Sequence, residues 1–491
     1  MKVIIVGGVA GGATAAARIR RLDEHAEITV FERSGYISYA NCGLPYYIGD
    51  VITDPEELTL QTPESFFKRF HINMKIHHEV ISIHQDRKTV SVKNLENGEI
   101  FEENYDKLIL SPGAKPTQPR LPGVGMDKLF TLRTVEDTFR IKEYINKNHP
   151  KSAILAGGGF IGLELAENLR ELGMDVTIVQ RPKQLMNPFD PDMASMIHNE
   201  MRKHGIKLVL GYTVEGFKEK DNGVEVLLKD NPSLQADMVV LAIGVTPDTA
   251  LAKEAGLELG IKGSIVVNDR METSVPDIYA AGDAVQVKHY VTGDDALISL
   301  AGPANKQGRI IADNICGGDS RYLGSQGSSV IKVFDMTAAT TGINETNAKK
   351  SGLDVDTVIL SPMSHAGYYP GGKVMTMKVV FEKETYRLLG AQIIGYEGVD
   401  KRIDVLATAI HAGLKATQLK DLDLAYAPPY SSAKDPVNMA GFMIDNIAKG
   451  TLKQWHLEDM DKISKDKSVV LLDVRTVGEF NRGHMDGFRN I

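Results

Sequence analysis

The sequence predicts an α/β protein with two βαβ units, followed by a smaller α+β domain. Two apolar runs carry the first part of this prediction, because each leads directly into a glycine-rich segment. Residues 3–6 precede GGVAGG at 7–12, and residues 153–155 precede GGGFIG at 157–162. A buried strand, a glycine turn and a helix together open a βαβ unit. From Val330 onward the composition changes to short antiparallel strands and helices, which predict the third part.

Composition limits the classes of function. A chain of 491 residues is too long for one core, so we expect about two to four domains. The net charge is −8 with both signs mixed along the chain, which speaks against nucleic acid as a partner. Two cysteines cannot build a disulfide framework, so we expect a cytoplasmic protein. No apolar run reaches the length of a membrane span.

The first glycine segment is followed by the pattern of an adenine-dinucleotide site. Residues 13–22 predict a helix and residues 28–31 a strand, and Glu32 then lies 20 residues beyond Gly12. An acidic residue at this distance hydrogen-bonds the ribose hydroxyls of a dinucleotide. Val9 stands where the second glycine of G-x-G-x-x-G is expected, so a turn without a ligand is the alternative.

The second glycine segment matches G-x-G-x-x-G in full and predicts a second nucleotide. Its strand, at residues 176–179, ends at Gln180, in the place that Glu32 has in the first unit. Loss of the carboxylate removes repulsion against a ribose 2′-phosphate, and Arg181 is able to bind one. We therefore predict NADP(H) rather than NAD(H). The alternative is that Arg181 is a solvated charge at a strand end.

Cys42 lies in the segment SYANCGLPYY at residues 38–47. Gly43 and Pro45 predict a turn between a strand and a helix, and proline suits the first turn of a helix. A cysteine just before that turn faces the positive end of the helix dipole, which favours the reactive thiolate. The alternative is a buried, inert cysteine, which is our interpretation of Cys316 at the end of a predicted helix.

Other patterns fix the order of the remaining elements. Residues 79–105 alternate around Asn97-Gly98 and predict an antiparallel hairpin, and residues 278–283 predict a strand that ends in Ala-Gly-Asp. Beyond residue 330 we predict strands at 330–334, 374–381 and 388–394, helices at 403–413 and 438–447, and loops rich in Tyr and Pro at 365–371 and 426–436. A last strand is predicted at 469–475.

Taken together, these motifs resemble a known family. The two nucleotide-binding units, Ala-Ala-Gly-Asp at 280–283 and the early Cys42 resemble the flavoprotein disulfide reductases that bind two dinucleotides. Within that family, SYANCGLP and YAPPY at 426–430 look like the coenzyme A-disulfide reductase branch, and the resemblance covers about residues 1–447. The tail, with LDVR at 472–475 and RGH at 482–484, is similar to the start of a rhodanese domain.

The resemblance implies a domain plan and an assembly. It implies an FAD-binding domain at 1–112 and 247–325, an NAD(P)-binding domain at 113–246 and a dimerisation domain at 326–447. Residues 455–491 would form the N-terminal part of a rhodanese-like domain, incomplete in this chain. The expected assembly is a homodimer, and the expected partner is coenzyme A disulfide or persulfide.

The resemblance also implies site residues, and no metal among them. Cys42 would react, with Tyr368 and Tyr426 reaching it from the partner subunit. FAD would contact Gly7, Gly11, Gly12, Glu32, Arg33, Val80, Ser111, Gly113, Asp283 and Ala301; NADPH, with NADH also possible, would contact Gly157, Gly159, Phe160, Ile161, Gly162, Arg181 and Gly244. Coenzyme A would contact Thr14, Arg18, Arg21, Ser38, Asn41 and Lys434.

The resemblance also implies the type of chemistry, because the chain lacks a second thiol near Cys42. Dithiol members of the family carry a second cysteine five positions after the first, and here that position is Tyr47. Cys42 therefore cycles through a mixed disulfide, a persulfide or a sulfenic acid. We expect a reductase of coenzyme A disulfide, persulfide or polysulfide. The alternatives are an NAD(P)H oxidase or peroxidase, although those relatives carry a histidine in the first glycine turn, and a non-catalytic redox sensor.

Overall fold

The computed structural model describes residues 1–220 and 223–491. Its strands are β1 (Lys2–Val6), β2 (Glu27–Phe31), β3 (Ile37–Tyr39), β4 (Thr59–Gln61), β5 (Asn73–Lys75), β6 (His78–His84), β7 (Thr89–Asn94), β8 (Ile100–Asn104), β9 (Lys107–Leu110), β10 (Ala114–Pro116), β11 (Leu129–Thr131), β12 (Ser152–Ala156), β13 (Asp175–Gln180), β14 (Lys207–Leu210), β15 (Val214–Lys220), β16 (Gly223–Leu228), β17 (Asn231–Ala236), β18 (Met238–Leu241), β19 (Val245–Pro247), β20 (Ile278–Ala280), β21 (Val287–Lys288), β22 (Asp295–Ala296), β23 (Ser329–Val333), β24 (Met336–Gly342), β25 (Val355–Leu360), β26 (Met375–Glu382), β27 (Leu388–Gly395), β28 (Leu472–Asp473) and β29 (Arg489–Asn490). Its helices are α1 (Ala10–Leu22), α2 (Leu44–Ile48), α3 (Pro63–Phe70), α4 (Val135–Asn148), α5 (Phe160–Glu171), α6 (Pro191–Lys203), α7 (Ala250–Glu254), α8 (Ala301–Ile315), α9 (Glu345–Lys350), α10 (Val399–His411), α11 (Pro436–Ala448), α12 (Met460–Ile463) and α13 (Val477–Arg482).

The first part of the chain forms a parallel sheet in the order β20-β9-β1-β2-β5. β1 is central, with Val3 opposite Ile28 on one side and Lys107 on the other. Its apolar residues are buried, as expected of a parallel strand that is covered on both faces. α1 packs directly on α8, and a Cβ at Gly308 would overlap the carbonyl oxygen of Gly11. The predicted first βαβ unit is thus present.

The predicted hairpin at residues 79–105 is a three-stranded antiparallel sheet, in the order β6-β7-β8. The turn at Asn97-Gly98 joins β7 to β8, as the sequence predicts. A second turn, which the sequence did not reveal, joins β6 to β7. It contains Lys88 at a φ of 49°, a left-handed conformation that usually requires glycine or asparagine. Without such a residue the turn left no sequence signal.

The second part repeats the architecture, with parallel strands in the order β11-β18-β12-β13-β14. Leu163, Leu165, Ala166 and Leu169 on α5 are buried. A small antiparallel pair, β10 with β19, connects this part to the first, with Ala114 opposite Pro247.

The third part is an antiparallel sheet in the order β23-β24-β27-β26-β25, with α10 and α11 packed against it. Two of its strands, β24 and β25, were not predicted. β24 reads MTAATTG and is rich in small residues, so its pairing in the sheet, rather than an apolar run, makes it a strand. β25 reads VDTVIL and ends in an apolar run at residues 358–360, so here a strand signal was present in the sequence and was missed.

The predicted strand at 469–475 is wrong over most of its length. Only β28, two residues long, is extended, and it pairs in parallel with β29. Val470 and Val474 are 64% and 78% exposed. Since two-residue strands bury little, these valines find no core within the described tail.

A separate observation concerns membranes. In the part of the chain that the structure describes, no helix combines the length and the apolar character needed to cross a bilayer.

Candidate active site

The first glycine turn leaves β1 at Gly7 and enters α1 three residues later. Gly7 has a φ of 96°, and a Cβ there would overlap the carbonyl oxygen of Ser111. A Cβ at Gly12 would overlap the carbonyl oxygen of Gly7. Among the described residues, no side chain caps the first turn of α1. The free N–H groups of that turn are therefore available to an anion such as a diphosphate.

Glu32 lies beside this turn, at the end of β2. Its two carboxylate oxygens accept hydrogen bonds from the backbone N–H groups of Gly8, at 2.8 Å, and Ser34, at 2.9 Å. These bonds orient the carboxylate, which is 9% exposed, toward the edge of a large cavity. The arrangement fits the ribose contact that the spacing from Gly12 predicts.

That cavity has a volume of about 730 Å³, within the range of cofactor sites. Nine of the ten residues predicted to bind FAD line it, namely Gly7, Gly11, Glu32, Arg33, Val80, Ser111, Gly113, Asp283 and Ala301. The tenth, Gly12, packs behind Gly7. At Gly11 a Cβ would come within 2.8 Å of the Ser111 hydroxyl, so glycine keeps this wall open. Free N–H groups, a carboxylate for the ribose and an open glycine wall together fit a bound FAD.

The second glycine turn has the same construction. Gly157 has a φ of 122°, and a Cβ there would overlap the carbonyl oxygen of Ala242, the counterpart of the Gly7 position. The Oε1 atom of Gln180 accepts a hydrogen bond from the N–H of Gly158 at 3.0 Å, as Glu32 does from Gly8. The structure thus places Gln180 and Glu32 in equivalent positions.

The other residues predicted to bind the nicotinamide dinucleotide lie around this second turn. Gly159, Phe160, Ile161 and Gly162 form the turn and the start of α5, and the described residues place no side-chain cap on that helix. A Cβ at Gly162 would overlap the carbonyl oxygen of Gly157. Arg181 follows β13 and is exposed, and Gly244 follows β18 with a φ of 110°.

Cys42 lies in a short 3₁₀ turn, Asn41–Gly43, that leads into α2, with Pro45 in the first turn of that helix. Its thiol is exposed to the cavity, which it lines together with the predicted FAD residues. Cys316, by contrast, is half-buried at the C-terminus of α8. The two cysteines thus differ in exposure, and which of them reacts stays a prediction.

The electrostatic part of the Cys42 prediction is wrong. Desolvation by the surrounding protein, followed by the charge of Glu164, raises the pKa of the Cys42 thiol above its ordinary value. Arg133 acts in the opposite direction, but its effect is smaller. α2 spans only five residues, so its dipole is short. Burial and the carboxylates outweigh the helix terminus.

Two residues near Cys42 were missed in the sequence. Arg133 lines the cavity, donates from Nη2 to Asp283 at 2.6 Å and bonds the carbonyl oxygen of Ala114 at 3.2 Å. Burial, and then the charge of Glu167, raises the pKa of Glu164 to about 7. Neither residue belongs to a motif, and tertiary packing alone brings them to Cys42.

The residues predicted to bind coenzyme A divide into two groups. Thr14, Ser38 and Asn41 line the cavity beside Cys42. The hydroxyl of Thr14 donates to Asn305 at 2.9 Å, and Ser38 has a φ of 45°, unusual for a residue with a side chain. These three residues therefore share the cavity with Cys42.

The basic residues of that prediction lie outside the cavity lining formed by the described residues. Arg18 pairs with Asp313 on α8 at 2.7 Å. Arg21 is exposed, with its guanidinium carbon 5.5 Å from the centre of the Phe70 ring. Lys434 is exposed in the loop before α11. Arg18 is therefore engaged by α8, whereas Arg21 and Lys434 are exposed, and their contacts with coenzyme A stay predictions.

Tyr368 and Tyr426 lie in the third part of the molecule, away from the cavity of their own subunit. Their hydroxyls are 2.6 Å apart. The hydrogen bond to Tyr426 raises the pKa of the Tyr368 phenol. Both side chains are exposed.

Comparison with known families agrees with this geometry. The model of the pyridine nucleotide-disulphide oxidoreductases matches residues 1–308, and the model of their dimerisation domain matches residues 328–436. The chain belongs to this family. It is an FAD-dependent oxidoreductase that uses a pyridine nucleotide.

Its relatives include disulfide reductases, a persulfide reductase and oxidases. A coenzyme A disulfide reductase of Staphylococcus aureus is 39% identical over 90% of this chain and 99% of that protein. The reduced CoADR-RHD structure of Bacillus anthracis is 49% identical, with a TM-score of 0.97 over 100% of this chain and 88% of that one. An NAD-dependent persulfide reductase of A. fulgidus is 38% identical, with a TM-score of 0.94 over 100% and 90%. A water-forming NADH oxidase of Lactobacillus brevis, and its engineered NADPH-using variant, are 31% identical, with TM-scores of 0.88 over 92% and 100%.

Proposed function

We propose that this protein reduces coenzyme A disulfide, or a coenzyme A persulfide or polysulfide, with Cys42 as its single reacting thiol. The observation that carries the proposal is the position of Cys42, exposed in a cavity whose other walls fit a flavin dinucleotide. Thr14, Ser38 and Asn41 line the same cavity as Cys42, where they are able to contact a substrate. Similarity to the Staphylococcus aureus reductase supports this substrate class.

The reaction needs one thiol and two electrons. The Cys42 thiolate attacks one sulfur of the substrate disulfide, forms a mixed disulfide and releases the other half as a thiolate. Bound FAD and NAD(P)H supply the two electrons that split this mixed disulfide and restore the Cys42 thiolate. Each coenzyme A thiolate that leaves takes up a proton. Because Tyr47 replaces the second cysteine of dithiol enzymes, no internal disulfide forms.

The proton for the leaving thiolate comes from the partner subunit. In the proposed homodimer, residues 326–447 pair the subunits, and Tyr368 and Tyr426 enter the Cys42 site of the partner. A phenol there donates a hydrogen bond or a proton to the thiolate. The exposure of both tyrosines and the match to a dimerisation-domain model support this arrangement.

Mixing two impaired variants tests the shared site. Cys42→Ser lacks the thiol and should be inactive, and Tyr368→Phe/Tyr426→Phe lacks the phenols and should keep only a small, measurable residual kcat. A heterodimer of the two contains one intact composite site and should regain up to about half of the wild-type activity, because one of its two sites is complete. Absence of any recovery, in a mixture shown to contain heterodimers, excludes the shared site.

NADPH is the proposed reductant. Gln180 takes the position of the ribose-binding carboxylate, and Arg181 is exposed beside it. The engineered NADPH oxidase carries an Asp→Ala change directly followed by an Ala→Arg change. Like Gln180-Arg181 in this chain, that pair combines an uncharged residue with a following arginine. The related persulfide reductase is described as NAD-dependent, so the kinetics of both nucleotides must be compared.

The domain plan of the sequence is retained as part of the proposal. FAD binds to residues 1–112 and 247–325, and the nicotinamide dinucleotide binds to residues 113–246. Residues 455–491 are the N-terminal part of a rhodanese-like domain. Removal of residues 455–491 should leave disulfide reduction intact, because this segment contributes no residue to the cavity.

An oxidase or peroxidase that works through a Cys42 sulfenic acid is the second candidate. Its support is the similarity to the Lactobacillus brevis oxidase. The first glycine turn, with Val9 and Ala10, lacks the histidine that the oxidases and peroxidases resembling this chain carry there. The reductase is therefore the preferred function.

One experiment separates these functions. The enzyme is reduced anaerobically with NADPH and treated with coenzyme A disulfide, and the mass added to Cys42 is measured. The proposal expects a coenzyme A adduct in wild type and Cys316→Ser, and none in Cys42→Ser, which should keep its FAD. Loss of turnover in Cys316→Ser with full turnover in Cys42→Ser would falsify the assignment. Turnover with oxygen or peroxide but with no disulfide favours the oxidase.

A further inference from the structure

Two separate loops carry the exposed tyrosines of the third part. Tyr368 lies between β25 and β26, and Tyr426 lies in the segment before α11. Their side chains are 76% and 45% exposed, yet the two hydroxyls are 2.6 Å apart. Two exposed side chains keep such a distance only if the backbones of both loops are fixed, because each side chain otherwise retains its rotamer freedom.

Arg402 on α10 contacts both loops from the interior of the third part. It is 1% exposed, and its Nη2 atom donates to the carbonyl oxygens of Ser364, at 3.0 Å, and Tyr430, at 3.1 Å. Ser364 lies four residues before Tyr368, and Tyr430 lies four residues after Tyr426. One guanidinium nitrogen therefore binds each loop at the same distance along the chain from its tyrosine.

The remaining donors of Arg402 complete this clamp. Nη2 also lies 3.1 Å from the Ser431 hydroxyl and 3.0 Å from one oxygen of Asp435, so its two N–H groups are shared among four acceptors, and Nε donates to the same Asp435 oxygen at 3.2 Å. Nη1 donates to the carbonyl oxygen of Gly398 at 3.1 Å. One backbone bond, from Ala366 N–H to the carbonyl of Ser431 at 3.0 Å, joins the two loops directly. A lysine has the charge but not the planar fork that these acceptors require.

We infer that Arg402 is the positioning residue of the tyrosine pair. The inference rests on the proposed function, in which Tyr368 and Tyr426 act on the thiolate of the partner subunit. The buried guanidinium fixes the backbone of both loops relative to α10, and so it sets where the two hydroxyls lie. Arg402 touches neither substrate nor cofactor in this role, and it acts only through the tyrosines.

The first test is Arg402→Lys in the FAD-loaded enzyme. A displacement of a positioned group by about 1 Å costs on the order of a hundredfold in rate. We therefore expect kcat with coenzyme A disulfide to fall by that order, while the FAD content and the KM for NADPH stay unchanged. The matched control is Asp404→Asn, since Asp404 lies two residues further along α10 and is exposed. Its carbonyl oxygen accepts a hydrogen bond from Thr408 within the same helix, and its side chain faces solvent, so the change should keep wild-type kcat.

The decisive test repeats Arg402→Lys in a Tyr368→Phe/Tyr426→Phe background. A positioning residue has nothing left to position there, so no further loss of kcat is expected. The same fold loss in both backgrounds assigns Arg402 a merely structural role and overturns the inference, and so does wild-type kcat in Arg402→Lys. If Arg402→Lys does not fold, Ser431→Ala, which removes one acceptor of the clamp, takes its place in the cycle with a smaller expected loss.

The same cycle distinguishes this inference from the proposed function. If the Tyr368→Phe/Tyr426→Phe enzyme keeps full disulfide reduction, the tyrosines have no catalytic role, and the proposed shared site fails together with the inference. If that enzyme loses activity but Arg402→Lys acts equally in both backgrounds, the shared site stands and only the role of Arg402 is rejected.

Discussion

Lys378 on β26 connects the second and third parts of the molecule through a buried ion network. Its ammonium lies 3.2 Å from Asp190, 2.8 Å from Asp192 and 2.7 Å from Glu345, and 3% of its side chain is exposed. Asp190 precedes α6, is 2% exposed and also accepts a hydrogen bond from Gln392 at 2.6 Å. Burial alone would raise the pKa of Asp190, but the charge of Lys378 and the hydrogen bonds outweigh it and lower that pKa.

We predict that Lys378→Met destabilises the protein by about 3–5 kcal/mol, because it leaves Asp190 charged and buried without its cation. Methionine keeps most of the side-chain volume, so the change removes the charge rather than the packing. The matched control is Lys383→Met, at the residue that directly follows β26. Lys383 pairs with Asp354 at 2.8 Å, but the two side chains are 51% and 73% exposed. Such a pair contributes less than about 1 kcal/mol.

The assay is urea unfolding followed by circular dichroism, with FAD in excess. Asp190 has a lower pKa in the folded state than in the unfolded state, so its contribution is present above the unfolded pKa of about 4 and is lost as pH falls through the folded pKa. The difference between Lys378→Met and wild type should therefore be largest at neutral pH and shrink in acid. Asp190→Asn combined with Lys378→Met should recover much of the loss. The reasoning is refuted if Lys378→Met costs no more than Lys383→Met.

Three further predictions concern the site. Arg181→Ala should raise the KM for NADPH roughly tenfold in steady-state kinetics and leave the KM for NADH unchanged, because an Arg–phosphate contact contributes about 1.5–3 kcal/mol. Equal effects on both nucleotides would contradict a contact between Arg181 and the 2′-phosphate. Arg21→Ala should raise the KM for coenzyme A disulfide and spare a small uncharged disulfide, and parallel losses would make Arg21 structural. Above pH 7 the deprotonated Glu164 opposes ionisation of Cys42. Glu164→Gln should therefore move the pH at which the alkylation rate of reduced Cys42 rises to a lower value. Superimposable pH curves for the two proteins would exclude this coupling.

The two βαβ units were predictable because their signals are local. Gly7 and Gly157 are required by positive φ angles and by carbonyl oxygens that a Cβ would overlap, so the glycine turns carry the constraint in the sequence itself. The equivalence of Glu32 and Gln180 also followed from spacing alone, and both accept a bond from the turn. By contrast, contacts between segments that lie far apart in the chain could not be recognised from the sequence. Arg133 reaches Asp283, 150 positions away, and although Asp283 belongs to the Ala-Ala-Gly-Asp motif, no motif marks Arg133 as its partner.

The failure of the thiolate prediction has a quantitative reason. A helix terminus contributes typically 0.3–1 kcal/mol, and about 1.4 kcal/mol corresponds to one pKa unit, so a short helix moves a thiol by less than about one unit. Burial can move a pKa by several units in the opposite direction. Cys42 lies before a five-residue helix, and the desolvation around it and the charge of Glu164 both act against the thiolate. Only the three-dimensional surroundings reveal these two effects, because Glu164 lies 122 positions further along the chain. For a cysteine before a short helix, the sequence therefore predicts where the sulfur lies, and the packing around it decides how readily that sulfur ionises.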